Sequence, residues 1–286
     1  MIYIICPDGT VTGGTEALHQ LSDELTRQEI PNAMYYLKDG KPERFNRYST
    51  PIRINPHIND DDVVVLPEIY ADCTNVFGGK VYLWWLSVDN SRRNEHTFAD
   101  ENVVHLYQSE YAKQYIEANG KTGVHLGDYI NDDYFTNDNG ITRRNRVVFN
   151  PAKGFNRTAE LIRELGGVEW VGIKNMSNDE IKSVLDEAKV YIDLGNHPGM
   201  DRLPREACLR NCIVITNIQG ASANDVDIPI SPRYKAHNAR EAYEAIKLSL
   251  NDYQRLVGDF KGYKDMILKQ RGLFARDVHK IFGGYK

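Results

Sequence analysis

The stretch His197-Pro-Gly-Met-Asp-Arg-Leu-Pro-Arg-Glu-Ala-Cys208, followed by Asn211-Cys-Ile-Val-Ile-Thr-Asn217, is the most informative part of the chain for its fold. It predicts a loop, then a helix with Pro204 in its first turn, and then a buried β-branched strand. The apolar run at 190–194 predicts another strand just before the loop. The loop therefore follows the carboxyl end of a strand, which is where open α/β sheets bind their ligands.

This loop and the start of its helix carry an unusual density of charged and polar side chains. Five of them fall within ten residues: His197, Asp201, Arg202, Arg205 and Glu206. A helix N-terminus attracts anions through its dipole and its backbone amides. The pattern therefore predicts a site for an anionic ligand that also carries hydroxyl groups.

Composition indicates an ordinary globular protein. The 286 residues carry a formal charge of −5 and a pI near 5.9, which makes nucleic acid a poor first expectation as a partner. No apolar segment approaches the length of a membrane span, and the opening residues predict a strand rather than a signal peptide. The four cysteines lack metal-site spacing, so we expect reduced thiols and a cytoplasmic location.

Predicted strands alternate with predicted helices along most of the chain, which favours parallel sheets. The last predicted strand is a short one at 226–230, and the stretch after residue 239 predicts helices alone. A polar segment at 131–145 separates the two halves. We therefore expect an α/β protein of two Rossmann-like, doubly wound domains that face a cleft. Residues 1–137 would form the first domain and 138–264 the second, and a helix within 265–286 would pack back on the first.

A glycine-containing loop, Gly9-Thr-Val-Thr-Gly-Gly-Thr-Glu16, follows the first strand. Gly13 and Gly14 would let the backbone approach a ligand closely. The loop has neither the dinucleotide-binding glycine pattern nor a P-loop. The alternative interpretation is an ordinary glycine turn capped by Thr15.

A second strand-end loop, Val147-Val-Phe-Asn-Pro-Ala-Lys-Gly154, opens the second half. Lys153 at the carboxyl end of a strand suits the countercharge of a diphosphate leaving group, and Asn150 is a further candidate for ligand binding in the same loop. The alternative for Lys153 is a solvated turn lysine.

A third loop ends the run Trp84-Trp-Leu-Ser-Val-Asp-Asn90 in the first half. Trp84 and Trp85 could stack on a sugar ring, while Ser87 and Asn90 bind its hydroxyls and Asp89 serves as a base. The alternative is a pair of core tryptophans followed by an Asx turn, and alternation along a strand places at least one of them in the core. Glu68 also ends a strand but has no partner in the local sequence.

Four motifs occur in an order that resembles the GT-B glycosyltransferases, especially the large retaining family four. They are Gly-Gly-Thr-Glu at 13–16, a linker His125-Leu-Gly-Asp-Tyr-Ile-Asn-Asp-Asp-Tyr-Phe135, the Lys-Gly loop at 153–154 and Leu-Pro-Arg-Glu-Ala at 203–207. The resemblance spans residues 1 to about 230. It implies that Lys153 contacts the donor diphosphate, that Glu206 holds the nucleotide ribose, and that Gly13 and Gly14 line the cleft.

The chain departs from this family pattern at two positions. Pro198 stands where the family has a glutamate that contacts the donor sugar, so His197 or Asp201 would have to replace it. Asn150 and Pro151 occupy the part of the loop where the family has an arginine, and Arg202 or Arg205 could restore that charge. Ser222, in the turn after the next strand, is a further candidate for donor binding, with an ordinary turn as the alternative.

The resemblance implies an enzyme that moves a sugar from a nucleotide donor, such as a UDP- or GDP-sugar, to a hydroxyl of a saccharide, in polysaccharide or glycan assembly. Its expected catalytic residues are Asp89, Lys153, His197 and Arg202, with Asp201, Arg205 and Glu206 binding the donor. We expect no metal and no cofactor, and peripheral association with a membrane fits this role. The alternatives are a nucleotide-sugar epimerase of the same fold and a non-catalytic subunit that binds sugar nucleotides. A Rossmann dehydrogenase is disfavoured because neither half has the glycine fingerprint.

Overall fold

The computed structural model describes residues 1–7, 9–37, 40–135 and 140–285. These residues form two compact units. Unit 1 comprises residues 1–129, 198–200 and 270–285, and unit 2 comprises residues 130–197 and 201–269. The predicted domain boundary between residues 137 and 138 lies outside the described residues.

Unit 1 is built on a six-stranded sheet in which every strand pair is parallel. The strands, in spatial order, are β2 (Asn32–Tyr36), β1 (Ile2–Cys6), β3 (Val63–Pro67), β4 (Lys80–Trp85), β5 (Val104–Tyr107) and β6 (Gly123–His125). Helices α1 (Gly13–Arg27) and α2 (Glu110–Ala118) connect strands of this sheet. Nearly every residue of the first four strands is buried, as expected when both faces of a parallel sheet are covered.

Helix α1 buries one face against the sheet of unit 1. Its leucines at 18, 21 and 25 follow helical spacing and are all buried. The last turns of the chain join the same core, through Phe274, Val278 and Phe282. These three residues belong to a helix that begins at Lys261 in unit 2.

Unit 2 contains a four-stranded parallel sheet. Its strands, in spatial order, are β10 (Ile213–Thr216), β9 (Ala188–Asp193), β7 (Arg144–Phe149) and β8 (Glu169–Gly172). The helices are α3 (Phe155–Glu164), α4 (Asn178–Glu187), α5 (Arg202–Leu209), α6 (Ala239–Asn251), α7 (Tyr253–Leu256) and the start of α8 (Lys261–Phe282). The alternation of strands and helices that the sequence predicts is confirmed.

One predicted strand is absent: the described chain has no strand at 226–230. Ile228 and Ile230 are buried there, but the amide of Ile230 donates to the carbonyl of Ile228 in a tight turn. Pro229 between them has no N–H to contribute to a sheet. The prediction of a strand at 226–230 is therefore wrong, because its apolar residues fill the core without joining a sheet. None of the described helices is long and apolar enough to cross a membrane.

Candidate functional site

The strand order of unit 2 singles out one position in its sheet. The chain passes from β7 to β8 on one side and then returns to β9 on the other side of β7. In doubly wound sheets the ligand binds outside the carboxyl ends of the strands at such a reversal. The loops that follow β7 and β9 carry Lys153, His197 and Asp201, so the sequence prediction and the sheet topology indicate the same edge.

Glycines allow these two loops to pack directly on each other. Gly154 has φ +61°, and a Cβ there would lie 2.5 Å from the carbonyl carbon of Leu194. A Cβ at Gly195 would lie 2.5 Å from the Cβ of Lys153. No side chain larger than hydrogen fits at either position. The backbone of the loop after β9 therefore packs against the loop after β7 and fixes the position of Lys153.

The loop after β10 is tied to the same structure by Asn217. Its side-chain amide donates to the carbonyl oxygens of Leu194 and Gly195, at 2.9 and 2.7 Å. The Ser222 hydroxyl donates to the Asn217 carbonyl at 2.8 Å and is fully buried. The Ser222 hydroxyl is therefore used inside the loop, and donor binding by the backbone amides of this turn stays a prediction.

Asp201 is the centre of the charged group at this edge. Its Oδ1 lies 2.7 Å from Lys153 Nζ, and its Oδ2 lies 2.9 Å from His197 Nδ1. On the other side of the imidazole, His197 Nε2 lies 3.9 Å from Asp193 Oδ1. Asp193, which the sequence interpretation did not select, is thus a fourth member. Its position as the last residue of β9 is the signal that could have identified it.

Exposure differs sharply within this group. The His197 side chain is fully buried, whereas those of Lys153 and Asp201 are 28% and 21% exposed. His197 can therefore orient Asp201 from behind, but it does not present its ring to a ligand. The prediction that His197 acts directly in catalysis does not fit this burial, and a positioning role fits better.

Burial and charge act in opposite directions on the pKa values of this group. Burial alone would raise the pKa of Asp201, but His197 and Lys153 outweigh it and the pKa is lowered. Burial alone would lower the pKa of His197, but the carboxylates of Asp201 and Asp193 outweigh it and the pKa is raised. Burial raises the pKa of Asp193. The arrangement therefore favours an ionised Asp201 between the Lys153 ammonium and the His197 imidazole.

The same side chains could also ligate a metal ion. Ligand atoms of Asp193, His197 and Asp201 lie within 4.8 Å of one another. Two of those residues, however, are already engaged with each other, and the Lys153 ammonium contacts Asp201. A cation bound here would have to displace that ammonium and would repel a protonated imidazole.

Helix α5 adds the rest of the predicted donor site. Asp201 is its N-cap residue, yet its side chain makes no capping hydrogen bond to the helix. Arg202 Nε lies 3.4 Å from Glu206 Oε1, and both side chains are mostly buried. Arg205 is fully buried and its Nε donates to the Asp201 carbonyl at 3.1 Å. Glu206 and Arg202 thus lie together on the first turns, while Arg205 supports the N-cap.

Asn150 lies in the loop after β7, where it forms a local turn. Its Oδ1 accepts a hydrogen bond from the amide of Ala152 at 3.0 Å. Asn150 therefore shapes the approach to Lys153.

The two tryptophans of unit 1 lie in the core. Both are fully buried; Trp84 Nε1 donates to the Leu126 carbonyl and Trp85 Nε1 to His105 Nδ1, at 2.9 and 3.0 Å. They project to opposite faces of β4, into different hydrophobic groups. The prediction that they stack on a sugar does not fit this geometry, because the covered sheet hides both rings.

The polar end of that run is accessible. Asp89 is exposed and its Oδ1 accepts a hydrogen bond from the Tyr111 hydroxyl at 3.0 Å. The amide of Asn90 donates to the Ser87 hydroxyl at 2.7 Å. These three residues form a short polar loop at the carboxyl end of β4, which remains compatible with binding a hydroxylated molecule.

Glu68 is a buried acidic residue that holds the start of this polar loop through a hydrogen bond to its backbone. It follows β3, is 4% exposed, and its Oε2 accepts from the amide of Leu86 at 3.1 Å. Burial raises the pKa of the Glu68 carboxyl to about 7, against the opposing effect of backbone hydrogen bonds. Its partner is a backbone amide in the next strand-end loop, which the local sequence could not reveal.

Gly13 and Gly14 form the first turn of α1. The cap of this helix is Thr12, not Thr15: the Thr12 hydroxyl accepts from the Thr15 amide at 3.2 Å, and the Thr15 hydroxyl accepts from the Thr12 amide at 2.9 Å. The two glycines thus lie at the helix N-terminus after β1, beside the order reversal of the unit 1 sheet. This position suits the close backbone approach that the sequence predicts.

Solved structures provide the comparison with known proteins. No family model and no curated protein sequence matches the chain. A glycosyltransferase from Rickettsia africae is similar over 99% of this chain and 98% of its own, with 13% identity and a TM-score of 0.73. Sucrose-phosphate synthase from Thermosynechococcus elongatus is similar over 99% and 98%, with 10% identity and a TM-score of 0.71.

A third structure is the BGT protein of phage T4 in complex with its UDP-glucose substrate. It covers 98% of this chain and 98% of its own, with 12% identity and a TM-score of 0.58. Likeness at this level of identity extends to the fold. With two parallel sheets and matches over nearly its whole length, the chain has the GT-B fold of glycosyltransferases.

Proposed function

We propose that the protein is a glycosyltransferase that moves a sugar from a nucleoside diphosphate donor to a hydroxyl group of a saccharide. The fold supports this class of activity, since structures similar over nearly the whole chain are glycosyltransferases. The observation that carries the proposal is the Lys153–Asp201 ion pair at the order reversal of the unit 2 sheet. A partly exposed ammonium there, beside the start of α5, suits a diphosphate.

The chemistry requires negative charge to be stabilised as it develops. The bond between the anomeric carbon and the diphosphate oxygen breaks, and the leaving diphosphate takes the electron pair. Lys153 would move from the Asp201 carboxylate to the diphosphate, and the α5 N-terminus would add its dipole. Asp201, held by His197, would keep Lys153 in place before the donor arrives.

Glu206, with Arg202 beside it, would bind the ribose of the donor in the same proposal. A carboxylate on the first turns of α5 can accept hydrogen bonds from two ribose hydroxyls. Arg202, 3.4 Å away, orients that carboxylate. The donor would thus be held at its diphosphate by Lys153 and at its ribose by Glu206.

We propose that this transfer needs no divalent metal and no cofactor. Charge complementarity supports the proposal, because Lys153 already neutralises the carboxylate that a metal would need. The acceptor hydroxyl would give its proton to Asp89, whose exposed carboxylate is held by Tyr111. A role in polysaccharide or glycan assembly in the cytoplasm, with contact to a membrane surface, belongs to this proposal as well.

The test is a panel of nucleotide sugars incubated with the full chain, with and without oligosaccharides, and with or without a chelator. Products are identified by mass spectrometry. We expect an acceptor heavier by one sugar and an equal amount of free nucleoside diphosphate, both unaffected by the chelator. An isomerised donor would instead indicate an epimerase, and binding without turnover a sugar-nucleotide-binding subunit. Turnover that the chelator abolishes would contradict the metal-independent mechanism.

A further inference from the structure

A large cavity lies within unit 2, away from the loops described above. Its volume is about 880 Å³, within the range of small-molecule sites. Its lining includes Arg143, which precedes β7, Lys189 in β9, and Asn211, which precedes β10. Because the sheet is parallel, these positions lie at its amino edge, opposite the carboxyl edge that carries Lys153.

The cavity lining has a net positive charge, whereas the whole chain has a net negative charge. Asp252 is the one carboxylate among the described lining residues. The cationic lining residues are Arg143, Lys189, Arg255, Lys261 and Lys264. In a chain of formal charge −5, such a local excess of positive charge concentrates a positive potential in one concave place.

Most of these cations are bound to neutral oxygen atoms. Arg143 donates to backbone carbonyls at the ends of α4 and α5, among them that of Leu185 at 3.0 Å. Lys189 Nζ lies 2.7 Å from the amide oxygen of Asn145, and Lys264 Nζ lies 2.8 Å from that of Asn211. Carbonyl and amide oxygens orient an ammonium or guanidinium but leave its charge in place.

One cation of the lining has a carboxylate partner, and the wall also includes aromatic surface. Arg255 lies 2.8 Å from Asp252. Tyr253 and Phe260 contribute rings to the lining. A ligand with one negative charge could pair with only part of the cationic group, whereas a molecule with several could bridge the segments before β7, in β9 and at the start of α8.

We propose that this cavity is a second binding site, for a small soluble molecule that carries two or more phosphate groups. The cations come from separate segments of unit 2, so such a ligand would link the β7 end of the sheet to α8. The site is independent of glycosyl transfer, because it shares no lining residue with the loops around Lys153. Its occupancy would stabilise unit 2 through mass action.

The test uses inorganic tripolyphosphate as the probe, titrated into the full chain by calorimetry at low ionic strength. The variant is Lys261→Gln with Lys264→Gln, two positions at the start of α8 with partly or fully exposed side chains. The matched control is Lys247→Gln with Lys269→Gln, which removes equal charge from residues outside the cavity lining. Hydrogen–deuterium exchange then locates the bound probe.

We expect the cavity variant to bind at least about tenfold more weakly and the control to bind like the wild type, since charge-assisted hydrogen bonds are lost only in the first. We expect protection from exchange at 140–145 and 251–264. No measurable binding to the wild type, equal weakening in both variants, or protection confined to 150–155 and 194–206 would each overturn the proposal. Melting curves of both variants confirm that the protein remains folded.

Discussion

Lys153 is the residue on which the proposed leaving-group chemistry depends. We expect Lys153→Ala to depress turnover by a larger factor than it weakens nucleoside diphosphate binding, because charge on the diphosphate grows in the transition state. A loss of roughly 10²-fold in kcat is the expected scale for one such group. Steady-state kinetics and calorimetry on the same protein preparation give both numbers.

The matched control for this variant is Lys174→Ala. Lys174 is an exposed lysine that follows β8 on the far side of β7, so its loss changes net charge equally. The control should retain wild-type turnover. Wild-type turnover in Lys153→Ala would remove Lys153 from the site, and equal losses in both variants would indicate a general charge effect.

Glu206 offers a choice between two roles that differ in their measurable signature. If Glu206 binds ribose hydroxyls, Glu206→Gln should weaken nucleotide affinity at least about tenfold, in addition to the stability lost with the buried Arg202 pair, since each charge-assisted hydrogen bond contributes about 1.5–3 kcal/mol. If it only serves the helix dipole, stability should fall by less than about 1 kcal/mol with intact binding. Calorimetric titration beside melting curves separates these roles.

Asp179→Asn provides the control for this experiment, because Asp179 is an acidic residue in the first turn of α4. It should show the dipole signature alone. Unchanged nucleotide affinity in Glu206→Gln would contradict the ribose contact.

His197 gives the site a pH dependence whose sign follows from its raised pKa. A protonated His197 contributes stability that is fully present below the unfolded-state pKa of about 6.5 and is lost as the pH rises through the higher folded-state value. The difference in the free energy of unfolding between the wild type and His197→Asn should therefore be larger at pH 6 than at pH 8.5. Urea denaturation across this range measures it.

His19 provides a comparison of opposite sign. Burial lowers the pKa of His19 to about 4, so the unfolded chain binds the proton more tightly. The difference between the wild type and His19→Asn should shrink as the pH falls from 6.5 towards 4. A difference for His197→Asn that stays constant with pH would contradict an ionised contact between His197 and Asp201.

At the scale of elements, the contact between the loops after β7 and β9 is the feature that holds Lys153. Gly154→Ala would force a Cβ against the Leu194 carbonyl at a positive φ. We expect a loss of stability of roughly 1–3 kcal/mol together with reduced turnover, because overpacking would displace the neighbouring lysine. Urea denaturation and the transfer assay measure the two effects.

Gly167→Ala is the control that separates the cost of a positive φ from the cost of a steric clash between the loops. Gly167 also has a positive φ, of +74°, but a Cβ there would meet nothing within 4 Å. Its cost should be smaller, about 1 kcal/mol, and turnover should remain. Equal costs for the two substitutions would show that the loops can separate without strain.

The elements themselves were largely predictable, because strand and helix periodicity and helix caps are local properties. The predictions that did not fit the structure concern features that depend on tertiary packing. The alternation of Trp84 and Trp85 along β4 is predictable from the sequence, but both faces of a parallel sheet are covered, so both rings are hidden. In the same way, the contact of His197 with Asp193 depends on how a loop folds back on the strand that precedes it, which residue spacing does not specify.

At the scale of the whole molecule, a chain with net negative charge has two groups of basic side chains in unit 2, at opposite edges of one sheet. The carboxyl edge has a built arrangement of loops, ion pairs and a helix start, as expected for a catalytic site on this fold. The amino edge has a cavity lined by cations. Any anion that binds the protein must therefore be located before its effect is interpreted.

The most direct measurement is a crystal structure of the full chain with a saturating nucleoside diphosphate identified by the donor panel. The proposal predicts diphosphate density within hydrogen-bond distance of Lys153 Nζ at the start of α5, with the ribose hydroxyls on the Glu206 carboxylate. Lys153 should then have left the position 2.7 Å from Asp201 Oδ1. A nucleotide bound in the cavity beside Lys264, or one whose diphosphate does not contact Lys153, would contradict the proposed donor site.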